Sequence, residues 1–158
     1  MTIDQHELRR VMGHFATGVT IITTRDREGA PQGLTANAFM SLSLNPPLVL
    51  VSVDKGATCY ACFEPENPFT VNFLSDHQEE ISRRFATKGC DKFAGLQWME
   101  GSNGAAILEG VMGYVECRIA KCYEGGDHTI VLGEILNVSA SGERPLLFFK
   151  GKYQKLPG

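Results

Sequence analysis

Small polar side chains interrupt the hydrophobic pattern between residues 33 and 47, in a segment that begins like a β-strand. Thr35, Asn37 and Ser41 stand where a buried strand would usually carry valine or isoleucine. A largely apolar run from Leu48 to Val53 follows directly after two prolines, which indicates that this polar segment is attached to a sheet. A rigid polar surface suits a small molecule better than a protein partner.

Helical periodicity predicts two short helices. Residues 4–7 have the pattern of a capping box, and apolar side chains then recur every three or four residues up to Phe15. A second helix is predicted after Ser75, where capping and acidic residues precede two apolar residues four apart and a pair of arginines. Residues 58–63 fit one further helical turn, ended by Pro65. The sequence therefore predicts two or three short helices.

The other regular segments are β-branched or alternate between apolar and polar residues, as strands do. Residues 88–110, in contrast, are punctuated by glycine and are predicted to form an extended surface excursion. Strands without strict alternation with helices favour an antiparallel barrel over a doubly wound sheet, so the predicted fold class is mainly β. With 158 residues and no internal repeat, the chain is predicted to be a single domain, residues 1–158. Besides the polar segment and the run after it, strands are predicted at 19–24, 69–74, 111–123, 129–138 and 146–150.

Composition and charge exclude several classes of function. The formal net charge is −3 and the sequence pI is about 5.8, so nucleic acid is not a predicted partner. Residues 1–10 lack the apolar core of a signal peptide, and no apolar run is long enough to span a bilayer. No membrane association and a cytoplasmic location are therefore predicted. The five cysteines, an odd number, are predicted to be reduced.

The cysteines and glycines carry no strong catalytic signature. Cys59 and Cys62 have the spacing of half a zinc site or of a redox pair, but also of an ordinary reduced helical turn. The sequence has no second cysteine pair with matching spacing, no nucleophile elbow and no glycine-rich phosphate loop. No metal is therefore predicted, and a nicotinamide cofactor would not be held on a Rossmann fold.

Two further features have both a functional and a structural interpretation. In the turn Gly125–His128 the glycines allow close approach and the imidazole projects, but an exposed histidine in an ordinary turn fits equally well. Arg83 and Arg84 have the donors to grip a phosphate, although arginines on a helix surface are usually solvated. Together with the polar segment and apolar walls from Phe39 and Phe73, these features indicate a phosphorylated heteroaromatic ligand such as flavin.

Four segments carry a resemblance to a known family. They are Thr35–Ser43, Val71–Leu74, Arg84–Ala86 and Gly126–Thr129. On these segments, and along almost its full length, the chain resembles the short-chain flavin reductases, the NAD(P)H-dependent components that supply reduced flavin to two-component monooxygenases. The resemblance implies a split β-barrel of the Greek-key, FMN-binding type that forms a homodimer, with flavin bound in a groove near the subunit interface.

The resemblance also implies a set of site residues. The nicotinamide of NADH or NADPH would stack on the flavin beside Gly126, Asp127 and His128, with Tyr153 closing the same side. His128 is then the catalytic residue, which orients the nicotinamide or donates a hydrogen bond while hydride passes to flavin N5. The FMN or FAD would be bound by Thr35, Ala36 and Asn37 along the ring, Ser41 and Thr58 towards the phosphate, Ser52 and Val53 beside the ring, and Asn72, Phe73, Leu74, Phe85 and Ala86 around the pocket.

Two departures from the family pattern affect the phosphate end. Ala38 stands where relatives often carry serine, and the phosphate segment, residues 55–58, has few hydroxyls. The sequence distinguishes neither FMN from FAD nor NADH from NADPH. Its predicted partner is a monooxygenase component. Two alternatives to a flavin reductase stay open: a split-barrel flavoprotein whose tightly bound FMN reduces a ferric or corrinoid acceptor, and a flavin-binding module without turnover.

Overall fold

Two helices and twelve strands form the described part of the chain, residues 2–142 and 144–158 of a computed structural model. Within these residues no helix is long and apolar enough to cross a membrane. The prediction of a mainly β fold with two or three short helices is confirmed. The elements are α1 (Gln5–Met12), β1 (Thr17–Gly18), β2 (Thr20–Arg25), β3 (Pro31–Ala36), β4 (Phe39–Leu44), β5 (Pro47–Asp54), a 3₁₀ turn (Tyr60–Cys62), β6 (Pro68–Phe73), α2 (Glu79–Phe85), β7 (Trp98–Glu100), β8 (Ala106–Leu108), β9 (Gly113–Gly125), β10 (His128–Ala140), β11 (Leu146–Phe149) and β12 (Lys152–Lys155).

The seven-stranded sheet is curled, because its two outer strands are consecutive in the chain. Its order is β3-β2-β6-β9-β10-β5-β4, and every pairing is antiparallel. In a flat sheet, strand spacings of about 4.8 Å would place β3 and β4 roughly 29 Å apart. Only Asn37 and Ala38 connect them, a reach of at most about 11 Å. The sheet therefore curls back on itself, but within the described residues β3 and β4 are not hydrogen-bonded to each other, so the predicted barrel is not closed.

Two hydrophobic clusters stabilise the curled sheet, one on each face of β2. Ile22 belongs to the inner cluster and its neighbour Ile21 to the outer one, because successive side chains of a strand point to opposite faces. Phe85 of α2 joins the outer cluster and is only 1% exposed. The inner cluster also contains Leu34, Val49, Val51, Val53, Cys59, Phe63, Phe69, Val71, Val115, Cys117, Ile119 and Val131, and the outer cluster Val19, Leu74, Leu108 and Leu146.

The predicted first helix is confirmed, but the described chain does not cover its apolar side. The Asp4 side chain caps α1 by accepting a backbone N–H at 3.1 Å, whereas Glu7 pairs with Arg10 instead of completing the capping box. None of the residues of α1 is buried. Met12 is 64% exposed and Phe15, just beyond the helix, 79% exposed. The apolar stripe that the periodicity predicts therefore faces outwards.

The segment predicted as a surface excursion contains a hairpin that is anchored in the core. β7 and β8 pair with each other, and Ala105 to Leu108 are buried. Asn103, in the turn between them, donates to the carbonyls of Phe69 and Cys117, and its own backbone N–H donates to the buried Glu116 carboxylate. The prediction is therefore wrong for residues 105–108, because polar contacts of the turn hold the hairpin against β6 and β9.

A row of aromatic rings leads from α2 to the surface. Phe85 contacts Phe93 edge to face with ring centroids 5.1 Å apart, and Phe93 contacts Trp98 in the same way at 5.7 Å. Trp98 is the only tryptophan of the chain and is half-exposed. These contacts hold residues 93–98 beside α2.

Candidate functional site

The open edge of β3 borders a small cavity beside α2. β3 is an outer strand of the sheet, so no neighbouring strand covers this edge in the described chain. The cavity has a volume of about 220 Å³ and is named the Tyr153 cavity. It brings together five residues that the sequence predicts in the site, namely Thr35, Ala36, Asn37, Ala86 and Tyr153. Its other lining residues are Val19, Ser82 and Phe148.

Hydrogen bonds fix the walls of the Tyr153 cavity. Thr35 Oγ1 donates to the Ser82 carbonyl at 2.6 Å, and the hydroxyls of Ser82 and Tyr153 lie 2.7 Å apart. The Arg83 guanidinium lies 4.9 Å from the centre of the Tyr153 ring, within cation–π distance. The Asn37 side chain is exposed, and its amide has no hydrogen-bond partner in the described part of the chain. A ligand in this cavity would therefore find fixed walls and one amide that is free to bind it.

Three lining residues of this cavity are not predicted from the sequence. Val19 and Phe148 reach it because β1 pairs with β11, far apart in the chain, and the Phe148 ring contacts the Tyr153 ring at 5.3 Å. No local pattern reports such a pairing. Ser82 leaves no signal either, because polar residues between the apolar positions are normal in an amphipathic helix such as α2.

A second cavity adjoins the first at Asn37. This Phe73 cavity has a volume of about 360 Å³ and is lined by Asn37, by the predicted site residues Phe73 and Leu74, and by Phe39. The rings of Phe39 and Phe73 contact each other at 5.5 Å, so the apolar walls expected from the sequence are brought together. The Thr17 hydroxyl, also in the lining, is buried and has no partner in the described chain.

Three predicted cofactor residues have their side chains in the core. Val53 and Asn72 are fully buried, and Phe85 is almost so. The Asn72 amide donates to a β2 carbonyl at 3.1 Å and accepts the N–H of Leu108 at 3.0 Å. Phe85 lies against Gly33, where a Cβ would come within 2.9 Å of its ring. These side chains support the strands that line the Tyr153 and Phe73 cavities, and none of the three lines either of these two cavities.

Thr58 lines a third cavity, at the beginning of β3. This Lys92 cavity has a volume of about 270 Å³ and is bordered by residues 31–33 and 89–93. Lys92 Nζ donates to the Gly33 carbonyl at 3.4 Å. The family resemblance implies Thr58 at the phosphate end, whereas no pattern in the sequence points to Lys92.

Ser41 and Ser52 lie outside these three cavities. Ser41 is opposite Val49 in the ladder between β4 and β5. The Ser52 N–H donates to the Ala38 carbonyl at 3.1 Å. Ser52 thus ties β5 to the connection between β3 and β4, next to Asn37.

The predicted catalytic histidine lies on the turn between β9 and β10, beside the end of β5. His128 is opposite Asp54, and the Lys55 N–H donates to the Asp127 carbonyl at 3.0 Å. His128 Nδ1 lies 2.7 Å from Asp127 Oδ1, and this hydrogen bond lowers the pKa of the Asp127 carboxyl from its ordinary value. Gly126 makes the turn with a φ of 78°. Because an ionised carboxylate only accepts, Nδ1 carries a proton and Nε2 is left for a ligand.

The two arginines that the sequence offers to a phosphate, and Lys55 of the phosphate segment, each form an ion pair with a glutamate. Arg83 and Arg84 form ion pairs at 2.9 and 3.1 Å with glutamates one helical turn earlier. Lys55 pairs with Glu124 at 2.7 Å, and this hydrogen bond raises the pKa of the Lys55 ammonium group. The structural interpretation of the arginine pair is thus the better supported one.

The turn that contains Cys59 and Cys62 does not have the properties of a reactive thiol site. Burial raises the pKa of Cys59 to about 11 and also raises that of Cys62. Both thiols are free, and at neutral pH they stay largely protonated. The helical turn that the sequence predicts within residues 58–63 is a 3₁₀ turn over Tyr60–Cys62.

The chain is similar over nearly its whole length to proteins of one family. A family model described as a flavin reductase like domain matches residues 12–157. A flavin-dependent monooxygenase reductase subunit, HsaB of Rhodococcus jostii, is 41% identical over 152 residues, which are 96% of this chain and 77% of the relative. An NADH-dependent FAD reductase of Streptomyces globisporus is 41% identical over 153 residues, 94% of this chain and 83% of the relative. The solved structure of a Streptomyces globisporus NADH:FAD oxidoreductase with NAD and FAD fragments matches with a TM-score of 0.91 at 40% identity, over 98% of this chain and 93% of that one.

Proposed function

This chain belongs to the flavin reductase-like family, and we propose that it is an NAD(P)H-dependent flavin reductase that transfers hydride to FMN or FAD. The observation that carries the proposal is the Tyr153 cavity on the open edge of β3, with its free Asn37 amide. Two relatives are named as an FAD reductase and as the reductase subunit of a monooxygenase. The reduced flavin then passes to a monooxygenase partner. A cytoplasmic location stays a prediction from the sequence.

The Tyr153 cavity has the surface that an isoalloxazine ring requires. Val19 and Phe148 give it apolar surface, and the Asn37 amide and the Thr35 hydroxyl give it polar groups at the strand edge. A flavin ring has apolar faces and a polar rim, so it matches both. In this proposal Ala36 and Ala86 complete the ring site, and Phe73 and Leu74 extend it into the adjoining cavity. Four other predicted residues hold the neighbouring strands in place through their contacts: Ser52, Val53, Asn72 and Phe85.

The turn 126–128 positions the nicotinamide donor. Bound flavin supplies the acceptor for the hydride, so the protein has to orient the donor rather than abstract a proton. Asp127 accepts a hydrogen bond from Nδ1 of His128, which leaves Nε2 to hydrogen-bond the carboxamide of the nicotinamide. Nε2 can donate a hydrogen bond instead only when the imidazole carries a proton on both nitrogens. Gly126 has nothing within 4 Å of its missing Cβ, which leaves room for the donor.

A homodimer is part of the proposal, because one surface of the sheet is apolar and faces outwards. Leu50 lies opposite both Met40 and Leu132 across three neighbouring strands. Their neighbours Val51 and Val131 point into the inner cluster, so these three side chains point away from it. An apolar face of this kind is typical of an interface, and a second copy of the chain is the proposed occupant. The curled sheet, open between β3 and β4, is then the split barrel of each subunit.

One set of measurements tests the proposed function. The absorption spectrum of the purified protein reports bound flavin, and oxidation of NADH and NADPH is followed with and without added FMN and FAD. We expect oxidation that depends on added flavin. Turnover of a ferric or corrinoid acceptor by a yellow protein without added flavin supports the prosthetic alternative. Bound flavin that NADH does not bleach under anaerobic conditions supports a binding module without turnover.

A further inference from the structure

Ser82 connects three elements around the Tyr153 cavity, and the inference about its role rests on the proposed function. The residue lies in α2 and is fully buried. Its backbone carbonyl accepts a hydrogen bond from the Thr35 hydroxyl of β3 at 2.6 Å, and its own hydroxyl lies 2.7 Å from that of Tyr153 in β12. One helical residue thus joins the open edge of β3 to the C-terminal strand.

The ring of Tyr153 is held in place independently of this pair of hydroxyls. Phe148, its partner in the ladder between β11 and β12, contacts the ring edge to face at 5.3 Å. The Arg83 guanidinium lies over the ring at 4.9 Å, and the ion pair with Glu79 orients that guanidinium. The ring therefore keeps its position without Ser82, and the contact with Ser82 acts on the hydroxyl alone.

The two hydroxyls have one hydrogen more than their contact uses. Each hydroxyl carries one hydrogen, and a single hydrogen bond joins the two. Within residues 2–142 and 144–158 neither hydroxyl has a second hydrogen-bond partner. The pair therefore keeps one donor for a group that enters the cavity.

Burial decides which of the two hydroxyls keeps this donor. Both residues line the cavity, but Ser82 has no exposed surface, whereas Tyr153 is half-buried. A buried donor without an acceptor is costly, so Ser82 donates to the Tyr153 oxygen and the Tyr153 hydrogen is directed into the cavity. Because a hydroxyl that accepts a hydrogen bond becomes a stronger donor, Ser82 also strengthens the hydrogen bond that Tyr153 can make.

The polar rim of an isoalloxazine ring has the acceptors that this donor needs. Carbonyl oxygens and ring nitrogens stand along one side of the ring, and they accept hydrogen bonds close to its plane. The Asn37 amide is a second free polar group of this cavity, on the side of β3. A ring in the cavity thus meets polar groups on two of its walls.

We propose that Ser82 is a positioning residue for flavin binding. It donates to the Tyr153 hydroxyl, and the hydrogen of that hydroxyl is thereby directed at an acceptor on the rim of the oxidised ring. Ser82 itself does not contact the flavin in this assignment. Because the contact is to the ring, it contributes equally to the binding of riboflavin, FMN and FAD.

A double-mutant cycle tests the assignment through the affinity for oxidised flavin in the absence of NADH. Dissociation constants of riboflavin and FMN are measured by flavin fluorescence for the unaltered protein, Ser82→Ala, Tyr153→Phe and the double variant. We expect Tyr153→Phe to weaken both flavins about tenfold, the upper end for one neutral hydrogen bond, and Ser82→Ala about threefold. In the double variant the loss equals that of Tyr153→Phe alone, because Ser82 acts only through the tyrosine.

Two further measurements separate positioning from a structural role. The absorption bands of the bound oxidised ring shift when a donor contacts its rim. The spectrum with Tyr153→Phe should therefore match that of the double variant, and the spectrum with Ser82→Ala should lie between these and that of the unaltered protein. Ser102→Ala is the matched control, because it also removes one serine hydrogen bond, in the turn between β7 and β8. It leaves flavin affinity and spectrum unchanged.

The other outcomes overturn the assignment. Losses that add in the double variant show that the serine acts independently of the tyrosine, and an unchanged affinity in Tyr153→Phe removes the hydroxyl from the ring site. A loss for FMN that riboflavin does not share, or a change confined to the KM for NADH, also overturns it. All of these leave the reductase in place, whereas binding of no flavin by the unaltered protein overturns both proposals.

The variants are chosen to keep the fold. Alanine is a better helix former than serine, so Ser82→Ala retains α2. Tyr153→Phe retains the ring and its contacts with Phe148 and Arg83. Its flavin affinity keeps the test decisive if thermal unfolding shows that Ser82→Ala disturbs the protein.

Discussion

The contact between His128 and Asp127 determines which imidazole nitrogen is available to a ligand. Asp127 lies at the tip of the turn with its side chain 93% exposed, yet its hydrogen bond to His128 lowers the pKa of its carboxyl. It therefore stays ionised at neutral pH and accepts a hydrogen bond from Nδ1 of His128. The position and tautomer of His128 are thus set by its neighbour in the chain, independently of the three cavities.

Replacing this histidine separates hydride transfer from flavin binding. In His128→Ala we expect the rate of flavin reduction by NADH to fall, up to about 100-fold, because the donor loses its orienting contact. The dissociation constant of flavin should change little, since His128 lines none of the described cavities. Anaerobic stopped-flow reduction and flavin titration measure the two quantities. An unchanged rate of reduction removes His128 from the site.

Single residues differ in how far the sequence alone reveals them. Thr35 and Asn37 are recognisable because polar side chains at strand positions contradict the usual pattern, and both line the Tyr153 cavity. Asn72 contradicts the same pattern for another reason, since its amide satisfies backbone groups in the core. Lys92 is not recognisable, because its proximity to Thr58 depends on how the segment after α2 returns to β3.

The β7–β8 hairpin is the element whose position depends most on polar contacts. The buried Glu116 carboxylate accepts a hydrogen bond from Ser102, another from Asn137 and a third from the Asn103 backbone. The Asn103 side chain donates to two carbonyls of the neighbouring strands. Such contacts leave no trace in the sequence periodicity. The glycines of residues 88–110 therefore predict a surface segment, although part of it is buried.

Substitution of Asn103 measures the contribution of this turn to stability. Asn103→Ala leaves the carbonyls of Phe69 and Cys117 without their donor, so the free energy of unfolding should fall by about 2–4 kcal/mol. Ser102→Ala, which loses one hydrogen bond to Glu116, is the milder comparison at about 1 kcal/mol. Urea unfolding followed by circular dichroism gives both values. Equal, small losses in the two variants would contradict an anchoring role for Asn103.

The curled sheet of the whole molecule is the part of the fold that the sequence predicts least. Most strands are recognisable from local alternation, and the two helices from their periodicity. Which strands become neighbours is a property of distant pairings, such as β2 with β6 and β6 with β9. The curl itself follows from the two-residue connection at Asn37 and Ala38 once the order of the strands is given.

A substitution on the outer face of this sheet tests whether the proposed homodimer forms there. A buried glutamate without a partner is costly at an apolar interface. Leu50 lies between Met40 and Leu132, both apolar, so Leu50→Glu should convert the dimer into monomers. Sedimentation velocity measures the change in mass. Met99→Glu places the same charge on β7, where the side chain is 62% exposed, and should leave the mass unaltered. A Leu50→Glu protein that stays dimeric moves the interface to another face.

The fluorescence of Trp98 reports whether flavin is bound in the proposed site. Phe93 lines the Lys92 cavity and its ring contacts this single indole at 5.7 Å, so flavin bound in the proposed site along β3 lies near Trp98. Indole emission overlaps the absorption of oxidised isoalloxazine, so excitation energy passes to the bound ring and the ultraviolet emission dims. Reduction bleaches the absorption and the emission brightens again. Binding of oxidised flavin therefore lowers the emission, and reduction or departure of the flavin raises it, so both changes are followed in real time without a label.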